Sequence, residues 1–498
     1  MGSDHRVRSS YSRTKRRKCG EGGETRGRAG GGAPRWPALK YVGFALLLAW
    51  HYCLWFISDI FIDTELLDAK VTTAWLVNLG ATVISLAVIA LLLGRKKHLT
   101  GKWHLDLIAA IGVTVCTLAL TLSSHLVETP LLAYLISAVL GPFEAILWTL
   151  WGEHYARNKG RFSMTHIGTV FGITLLLTMA ITLMLPDVFA VAFTSALPIA
   201  SGYLYWRDAR CNEKPFPPLL PESASKGAMK SISIVCVISF LASIACYFLA
   251  AIIPWEILPT RDVSFTIGVM VGSVLLLVIA SVCHASRNKI DVFKMFPILL
   301  VIIVVAFALE LADQTLYFPS FILALGVSSI LEITLIMYFG ILTSKGYVAP
   351  ALAFALSAGS IRLGIGIGNG LALGYEGNPA FAAAWTPETC LIFICLLTMV
   401  LVPLVRQEYA ITSLTTTPQT ASELDSICDE VAQEFKLSAR EGEILHLLAY
   451  GHTADSIAKK LVISPYTVNT HIRHIYEKMQ IHKRAELLNY INMRRSDF

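Results

Sequence analysis

Charged residues are scarce in this chain of 498 residues: Asp, Glu, Lys and Arg together make up 15%, against 55% hydrophobic residues. Too few polar side chains remain to cover the surface of a water-soluble protein built around one buried core. The scarcity of charge therefore excludes an ordinary soluble globule. Runs of roughly 20 apolar residues, each long enough to cross a ~30 Å hydrocarbon layer, instead predict an all-α polytopic membrane protein.

Paired cysteines and catalytic constellations are also missing. The ten cysteines are scattered without any C-x-x-C pair, so we expect buried thiols and neither a disulfide framework nor a zinc cluster. No Ser-His-Asp or Cys-His arrangement stands out, and five histidines near the C-terminus show no recurrent ligand spacing. We therefore expect no enzyme, no catalytic residue, no metal site and no cofactor.

The first 38 residues form a basic segment without an apolar stripe. Residues 1–40 hold eleven Lys and Arg against three Asp and Glu. This composition predicts that residues 1–38 are a disordered tail attracted to anionic lipid headgroups. The apolar stretch that follows is too long and too aromatic for a signal peptide, so we expect it to remain as the first membrane span.

Twelve apolar runs alternate with polar breaks between residues 39 and 405, and we interpret them as a twelve-span membrane domain. The spans are predicted near 39–61, 71–93, 105–126, 131–151, 163–185, 188–206, 231–253, 263–284, 293–313, 319–343, 348–372 and 386–405. A polar, proline-rich loop at 207–230 divides this domain into halves at 39–206 and 231–405.

The distribution of positive charge predicts how the spans are oriented. Five loops hold sixteen Lys and Arg, whereas the alternate loops hold two and carry acids such as Asp63, Glu128 and Glu256. The positive loops are 94–104, 152–163, 206–230, 284–295 and 343–348. Because basic loops stay on the cytoplasmic side, both termini are predicted to lie in the cytoplasm.

The two halves contain similar segments. Glu144 to Gly152 in span four parallels Glu332 to Gly340 in span ten: each has Leu three residues after Glu, an aromatic residue after seven and Gly after eight. This six-plus-six arrangement with a central cytoplasmic loop resembles the major facilitator superfamily, whose halves are related by an axis along the membrane normal. The basic loop between spans two and three lacks the acid and the second Gly of that superfamily's signature.

Three ionisable residues fall deepest in the predicted spans: Glu144, Glu332 and Arg362. A charge at this depth costs about 2.5–3.5 kcal/mol on insertion scales, so such residues usually pair or line a cavity. Glu332 and Arg362 lie near the middle of neighbouring spans and could neutralise each other. Two interpretations stay open: an ion pair that fixes helix register, and a pocket between the halves for a polar ligand. His51 is expected nearer the outer surface.

Polar sequence begins after Val405, and residues 406–434 are interpreted as a linker followed by an amphipathic helix. The polar sequence predicts a tether of about fifteen residues. From Ser422, apolar residues at helical spacing predict a helix with an acidic outer face. It could pack on the segment that follows or pair between subunits.

Residues 435–498 carry the helix signals of a small four-helix domain. Ser438 and Glu441 have capping-box spacing, and Ser464 with Pro465 opens a later helix. That helix buries Val468 and its helical neighbours, and it presents polar and basic residues outward, which predicts a helix-turn-helix whose reading helix enters the major groove. The residues expected to contact DNA are Thr467, Asn469, Thr470, Arg473, Lys478, Lys483 and Arg484.

This segment resembles the LuxR-type (FixJ or NarL-type) DNA-binding domain. The residues that match the family pattern are Leu437, Ser438, Arg440, Glu441, Leu447, Leu448, Ala449, Gly451, Ile457, Ala458, Leu461, Ile463, Ser464, Thr467, Val468, His471, Ile475, Tyr476, Lys478, Met479, Arg484, Glu486 and Leu487. The resemblance implies binding to double-stranded DNA and dimerisation through a fourth helix at 483–493. Asn469 replaces the usual Lys, and because Asn reads adenine bidentately, the base preference is expected to differ.

The combination predicts a membrane-bound, DNA-binding transcriptional regulator whose transmembrane domain senses an unknown small-molecule ligand. The expected partners are double-stranded DNA, the lipid bilayer, that ligand and a second copy of the chain on DNA. The alternative is a secondary transporter with a regulatory DNA-binding tail. A third interpretation is a membrane anchor that binds no ligand.

Overall fold

The computed structural model describes residues 41–57, 73–94, 97–101, 104–126, 131–157, 164–211, 215–220, 222–252, 261–286, 293, 296–376, 379–415, 419–449, 454–483, 486–487 and 490–491. Nearly all of these residues are helical, and none of them lies in a β-strand. The predicted all-α fold class is therefore confirmed. The tail predicted at 1–38 lies outside the described residues.

The chain divides into two compact units, Met1–Thr412 and Ser413–Phe498. We call the first the membrane unit and the second the reader. The helices of the membrane unit are α1 (Val42–Phe56), α2 (Thr73–Leu93), α3 (Leu105–Leu126), α4 (Leu131–Arg157), α5 (Met164–Met184), α6 (Asp187–Cys211), α7 (Glu222–Ile252), α8 (Arg261–Ala285), α9 (Phe296–Ala312), α10 (Tyr317–Ser344), α11 (Pro350–Glu376) and α12 (Pro379–Thr415).

Length and hydropathy identify the membrane unit as a membrane protein. Ten of its described helices are long and apolar enough to cross a bilayer, and α1 and α9 are apolar but shorter. Large apolar side chains such as Leu91 and Met399 are more than two-thirds exposed. So much exposed apolar surface is stable in lipid and not in water. The exact number of twelve spans stays a prediction.

Three helix pairings of the first half recur in the second with six helices added. Thus α1 packs on α5 as α7 packs on α11, and α2 packs on α4 as α8 packs on α10. Likewise, α3 packs on α4 as α9 packs on α10. The contacts between the halves follow the same rule, because α5 packs on α8 as α11 packs on α2. The repeated pairings support two similar halves, and the six-plus-six count of spans stays a prediction. The packing also brings α4 and α10, which carry the two similar segments, against each other.

Glycines allow close approach of helices near the middle of the unit. A Cβ atom at Gly364 would lie 2.6 Å from the Phe240 carbonyl oxygen, and one at Gly368 would lie 2.5 Å from that of Ile244. These two positions let α11 pack directly on the backbone of α7. On α4, a Cβ atom at Gly152 would collide with the ring of Phe354 on α11. Helices α4 and α11 are therefore in direct contact.

The last helix of the membrane unit is longer than its apolar sequence. The sequence predicts a span ending near 405 and then a polar tether, but α12 continues to Thr415, so the first ten residues of that tether are helical. A helix bonds its own backbone groups and need not end where lipid-compatible side chains end. No Gly or Pro interrupts the sequence between Val405 and Pro418. Residues 416–418 lie outside the described part of the chain.

The reader contains α13 (Gln419–Glu434), α14 (Ala439–Ala449), α15 (Ala454–Leu461) and α16 (Pro465–Met479). Residues 486–487 and 490–491 are also helical, within the predicted fourth helix of the DNA-binding domain. The buried core of the reader is formed by Ile427, Cys428, Val431, Ile444, Leu445, Leu448, Ile457, Ala458, Val468, Ile475, Met479, Leu487 and Ile491. Helix α13 contributes to this core, so its predicted amphipathic face packs within the reader.

The predicted capping residues start the helices of the reader. Ser438 N donates to Glu441 Oε2 at 2.7 Å, and Glu441 N donates to Ser438 Oγ at 3.3 Å. This reciprocal pair is the predicted capping box of α14. Ser464 Oγ accepts from Thr467 N at 3.0 Å with Pro465 in the first helical turn. Helix α16 therefore begins where the sequence predicts the reading helix.

Candidate ligand site and DNA-binding surface

Helices α4 and α11 place an oppositely charged pair between the two halves of the membrane unit. Glu144 is 1% exposed and Arg362 is 2% exposed. Arg362 Nη2 donates to Glu144 Oε1 at 2.6 Å. Trp148 lies one turn after Glu144, and its ring centroid is 4.3 Å from the Arg362 Cζ atom. The guanidinium is thus held by a charge-assisted hydrogen bond and a cation–π contact.

Helix α10 brings a second carboxylate to the same guanidinium. Glu332 Oε1 lies 3.8 Å from Arg362 Nη1, and Glu332 Oε2 accepts from the hydroxyl of Tyr52 at 2.7 Å. Two buried carboxylates therefore share one guanidinium. Arg362 balances one of these carboxylates, and the other is balanced by a proton, on a carboxylate or on His51 beside Glu144, or by a bound group.

Helices α1 and α2 complete the surroundings of Glu144. His51 Nδ1 is 3.2 Å from Glu144 Oε1, and Thr82 Oγ1 donates to Glu144 Oε2 at 3.2 Å. We use the name inter-half cluster for Glu144, Glu332, Arg362, His51, Tyr52, Thr82 and Trp148. The cluster draws on α1, α2 and α4 of the first half and on α10 and α11 of the second.

Several buried polar atoms of the cluster have no acceptor among the described residues. They include Arg362 Nε, Arg362 Nη1 and Trp148 Nε1. Asn78, one turn before Thr82, is fully buried, and neither of its amide atoms has a hydrogen-bond partner within the described part of the chain. A buried donor without an acceptor costs about 1–3 kcal/mol, so several of them together are typical of a place where a polar ligand or water binds.

The structure brings together the three residues that the sequence singles out. It differs in the pairing, because Arg362 is closer to Glu144 at 2.6 Å than to Glu332 at 3.8 Å. The expected interfacial position of His51 is wrong, since this residue is 5% exposed and contacts Glu144. The partners His51 and Tyr52 are missed by sequence reasoning because a lone His and Tyr in an aromatic span carry no pairing signal.

The reading helix α16 presents the predicted DNA-contacting residues on its outer face. Thr467, Asn469 and Arg473 are exposed, and Thr470 is half-buried. The Arg473 side chain is 70% exposed, with its Nε atom 3.7 Å from Glu477 Oε1. A surface pair of this kind is weak and leaves the guanidinium available to a base edge or a phosphate.

Lys478 and Lys483 differ in their surroundings. Lys478 Nζ donates to Glu441 Oε2 at 2.6 Å and to the carbonyl oxygen of Lys436 at 3.3 Å. This ammonium ties α16 to α14, so the geometry favours a structural role over the predicted phosphate contact. Lys483 is exposed. Arg484 lies outside the described residues.

Glu441 is the central polar residue of the reader and is 5% exposed. Burial by itself raises the pKa of its carboxyl group, but hydrogen bonds from Lys478 and Ser438 outweigh burial and lower the pKa from 4.5 to about 2. The carboxylate is therefore ionised at neutral pH. His471 and His474 of α16 place ring nitrogens near it, with all three ligand atoms within 4.8 Å of one another. No metal site is predicted from the sequence, because Glu441 is far from the two histidines along the chain.

A helix-turn-helix in a chain with membrane-crossing helices defines a membrane protein with a DNA-binding domain. The family model "Bacterial regulatory proteins, luxR family" matches residues 436–491. The reader is therefore a LuxR-family DNA-binding domain, and its predicted family resemblance is confirmed.

Curated relatives are similar to the reader. The probable transcriptional regulatory protein NarL of Mycobacterium tuberculosis (strain CDC 1551 / Oshkosh) is 45% identical over 49 residues, which is 10% of this chain and 23% of that protein. The HTH-type transcriptional activator RamA of Corynebacterium glutamicum is 34% identical over 73 residues, 14% of this chain and 26% of that protein. The chain thus spans about a quarter of the length of these relatives.

Solved structures are similar to the membrane unit at low identity. A mutant of the peptide transporter POT gives a TM-score of 0.48 at 12% identity and covers 77% of this chain and 97% of its own. The human organic anion transporter MFSD10 (TETRAN) gives 0.46 at 15% identity and covers 73% of this chain and 96% of its own.

Proposed function

We propose that this chain is a membrane-bound transcriptional regulator whose membrane unit senses a polar small molecule through the inter-half cluster. The reader binds double-stranded DNA as a homodimer. The chain lies in a bacterial inner membrane with both termini in the cytoplasm, and it catalyses no reaction.

The DNA-binding part of the proposal is supported by the reader. It matches the LuxR family over residues 436–491, and its reading helix exposes Asn469 and Arg473. Asn pairs bidentately with adenine, and Arg pairs with guanine, in the major groove. The basic loops support a position of the reader in the cytoplasm, which is the compartment that contains DNA in a bacterium.

The sensing part rests on one observation, the unbalanced inter-half cluster. A purely structural ion pair in lipid would match one acid to one base and satisfy every N–H group. Here Glu144 and Glu332 share Arg362, whose Nε and Nη1 atoms have no acceptor among the described residues. A ligand with a hydrogen-bond acceptor would complete the guanidinium, and one with a positive group would balance the second acid.

A sensor also needs two states of unequal affinity for its ligand. The cluster joins helices from both halves, so a ligand bound there would change how strongly the halves hold each other. Helices α10 and α11, which carry Glu332 and Arg362, come directly before α12 in the sequence. Because α12 is helical to Thr415, a displacement of this helix is carried ten residues beyond the predicted end of the last span.

The test compares wild type with Glu332→Gln and Glu310→Gln at matched membrane levels. Glu310 is a second buried acid, 7% exposed, on α9 and outside the inter-half cluster. Genomic sites bound by the full chain are mapped by crosslinking, and transcripts of the adjacent genes are measured. We expect Glu332→Gln to change those transcripts and Glu310→Gln to leave them at wild-type levels. Wild-type transcripts in both variants would reduce the cluster to a packing role.

Transport by the membrane unit is the second candidate, because the cluster is formed by both halves as a substrate site between moving halves would be. An Arg473→Ala variant separates the two functions, since it weakens the reader and leaves the membrane unit unchanged. Intracellular metabolites are compared between cells with this variant and cells without the protein. Transport would be favoured if the level of a metabolite differs between these cells while the transcripts of the genes beside the bound sites are the same.

A further inference from the structure

The reader contains a grouping of metal-ligating side chains that DNA binding does not explain. Glu441 comes from the first turn of α14, and His471 and His474 come from the middle of α16. One ligand atom from each of the three residues lies within 4.8 Å of the others. His471 and Glu441 belong to the LuxR-type pattern, whereas His474 occupies a variable position of it.

The two histidines are three residues apart and therefore lie on one face of α16. An i, i+3 spacing of ligating residues on a helix also supplies the Glu-x-x-His pairs of four-helix metal proteins. The third residue is fixed in place by the fold, because Glu441 Oε2 accepts from Lys478 Nζ at 2.6 Å and from Ser438 N at 2.7 Å.

The remaining oxygen of the carboxylate points to the histidines. Glu441 Oε1 lies 3.8 Å from His474 Nδ1. This separation is too long for a hydrogen bond. Two ligands at about 2.0–2.1 Å from one tetrahedral zinc ion lie roughly 3.4 Å apart. A shift of a few tenths of an ångström therefore converts this pair of atoms into two ligands of one ion.

The side chains have the freedom and the charge that such a site requires. The His474 side chain is 44% exposed, so its ring can turn without disturbing the core. Glu441 Oε2 accepts from Lys478 Nζ at 2.6 Å, which leaves Oε1 for the ion. The ion would not displace Lys478, since the ammonium and the ion occupy different oxygens.

We propose that Glu441 Oε1, His471 and His474 form a binding site for a divalent transition metal ion of the zinc class. Three protein ligands leave one coordination position for water. The ion would connect α14 to the reading helix α16 beside the Glu441–Lys478 pair. This site goes beyond the sensing role of the membrane unit, and neither depends on the other.

His446, another histidine of the reader, has a packing role that differs from the proposed metal-binding role. His446 Nδ1 lies 2.9 Å from Asp425 Oδ1, and His446 Nε2 lies 3.0 Å from Asp429 Oδ1. The two carboxylates approach opposite nitrogens of the ring, so no single ion can reach all three groups. This histidine connects α14 to α13 and is a suitable comparison for the proposed site.

The experiment uses the full chain in detergent and Co²⁺ as a spectroscopic probe, with Zn²⁺ added in competition. We expect saturable Co²⁺ binding with visible ligand-field absorption that Zn²⁺ abolishes. His474→Gln and His471→Gln should each weaken the binding that gives this absorption at least tenfold. His482→Gln, which changes an exposed histidine outside the grouping, and His446→Gln should leave it at the wild-type value.

The variants also separate loss of the site from loss of the fold. His474→Gln should keep the helical circular dichroism and the DNA affinity of metal-free wild type, because its side chain lies outside the reader core. Absence of a saturable ligand-field signal in wild type, or wild-type Co²⁺ affinity in His474→Gln, would overturn the proposal. Loss of the signal in His446→Gln with retention in His474→Gln would overturn it as well.

Discussion

The membrane unit and the reader each bury a carboxylate against a cation, and the two arrangements differ in their balance of charge. In the reader, Glu441 is matched to one ammonium, Lys478 Nζ at 2.6 Å. In the membrane unit, Glu144 and Glu332 share Arg362 at 2.6 and 3.8 Å. The reader pair is neutral, whereas the inter-half cluster has one carboxylate in excess of its guanidinium.

The surroundings make this difference more consequential. The Lys478 side chain is 40% exposed, so water can bind the N–H groups of its ammonium that the protein does not bind. The Arg362 side chain is 2% exposed inside a unit whose outer surface is apolar. Unmatched groups cost far more in the second setting than in the first. The cluster therefore carries the larger electrostatic cost, and the Glu441–Lys478 pair resembles a structural clamp.

The largest effect that the comparison predicts is at Arg362. Arg362→Gln leaves two buried carboxylates without a cation and should lower the free energy of unfolding of the membrane unit by about 3–5 kcal/mol. All ten tryptophans precede residue 413, so tryptophan fluorescence during urea unfolding in detergent reports on this unit alone. Arg473→Gln is the control, because its side chain is exposed in the reader and should change nothing in this signal. Equal unfolding midpoints for both variants would contradict the expected cost of leaving the buried carboxylates without Arg362.

A smaller effect is expected when the cation of the reader is removed. Lys478→Gln loses a charged hydrogen bond at the edge of solvent and should destabilise the reader by about 1.5–3 kcal/mol. Amide hydrogen exchange of α14 and α16 in the full chain measures this loss. Lys483→Gln, a change at an exposed lysine in the same unit, should leave the exchange rates unchanged. Equally fast exchange in the two variants would show that the clamp contributes nothing.

DNA affinity should separate the structural lysine from the outward-facing side chains. Asn469→Ala and Arg473→Ala should each weaken binding to a specific site by about 1–3 kcal/mol and leave binding to shuffled DNA nearly unchanged. Lys483→Ala should weaken both alike and reduce the salt dependence by about one counterion. Titrations of the full chain at several salt concentrations measure all three. Loss of affinity for shuffled DNA in every variant would contradict the assignment of base contacts.

Local features of the fold could be predicted from the sequence. The capping box of Ser438 and Glu441 and the cap at Ser464 depend on neighbours three residues away, and both appear as predicted. The acids Glu144 and Glu332 could be singled out because charge at bilayer depth is rare. These signals are local in sequence or set by hydrophobicity.

Pairing at long range could not be predicted in the same way. Arg362 bonds a residue 218 positions earlier, and Tyr52 bonds one 280 positions later. Neighbouring spans suggested that Arg362 would pair with Glu332, but the close contact of α4 with α11 at Gly152 brings Glu144 nearer. The end of α12 could not be predicted either, because hydrophobicity marks where lipid ends and not where a helix ends.

The smallest expected effect concerns pH and tests the clamp without removing an atom. The pKa of Glu441 is lowered in the folded reader to about 2, against 4.5 for an unperturbed carboxyl group. A depressed pKa stabilises the fold fully above pH 4.5, and this contribution is lost as the pH falls toward 2. Other carboxylates titrate in the same range, so the informative quantity is the difference in stability between wild type and Glu441→Gln. Hydrogen exchange of α14 at several pH values, corrected for intrinsic rates, should show this difference constant from pH 7 to 5 and shrinking below pH 4.5. A difference that stays constant to pH 3 would mean that Glu441 is held by its neighbours without any preference for its charge.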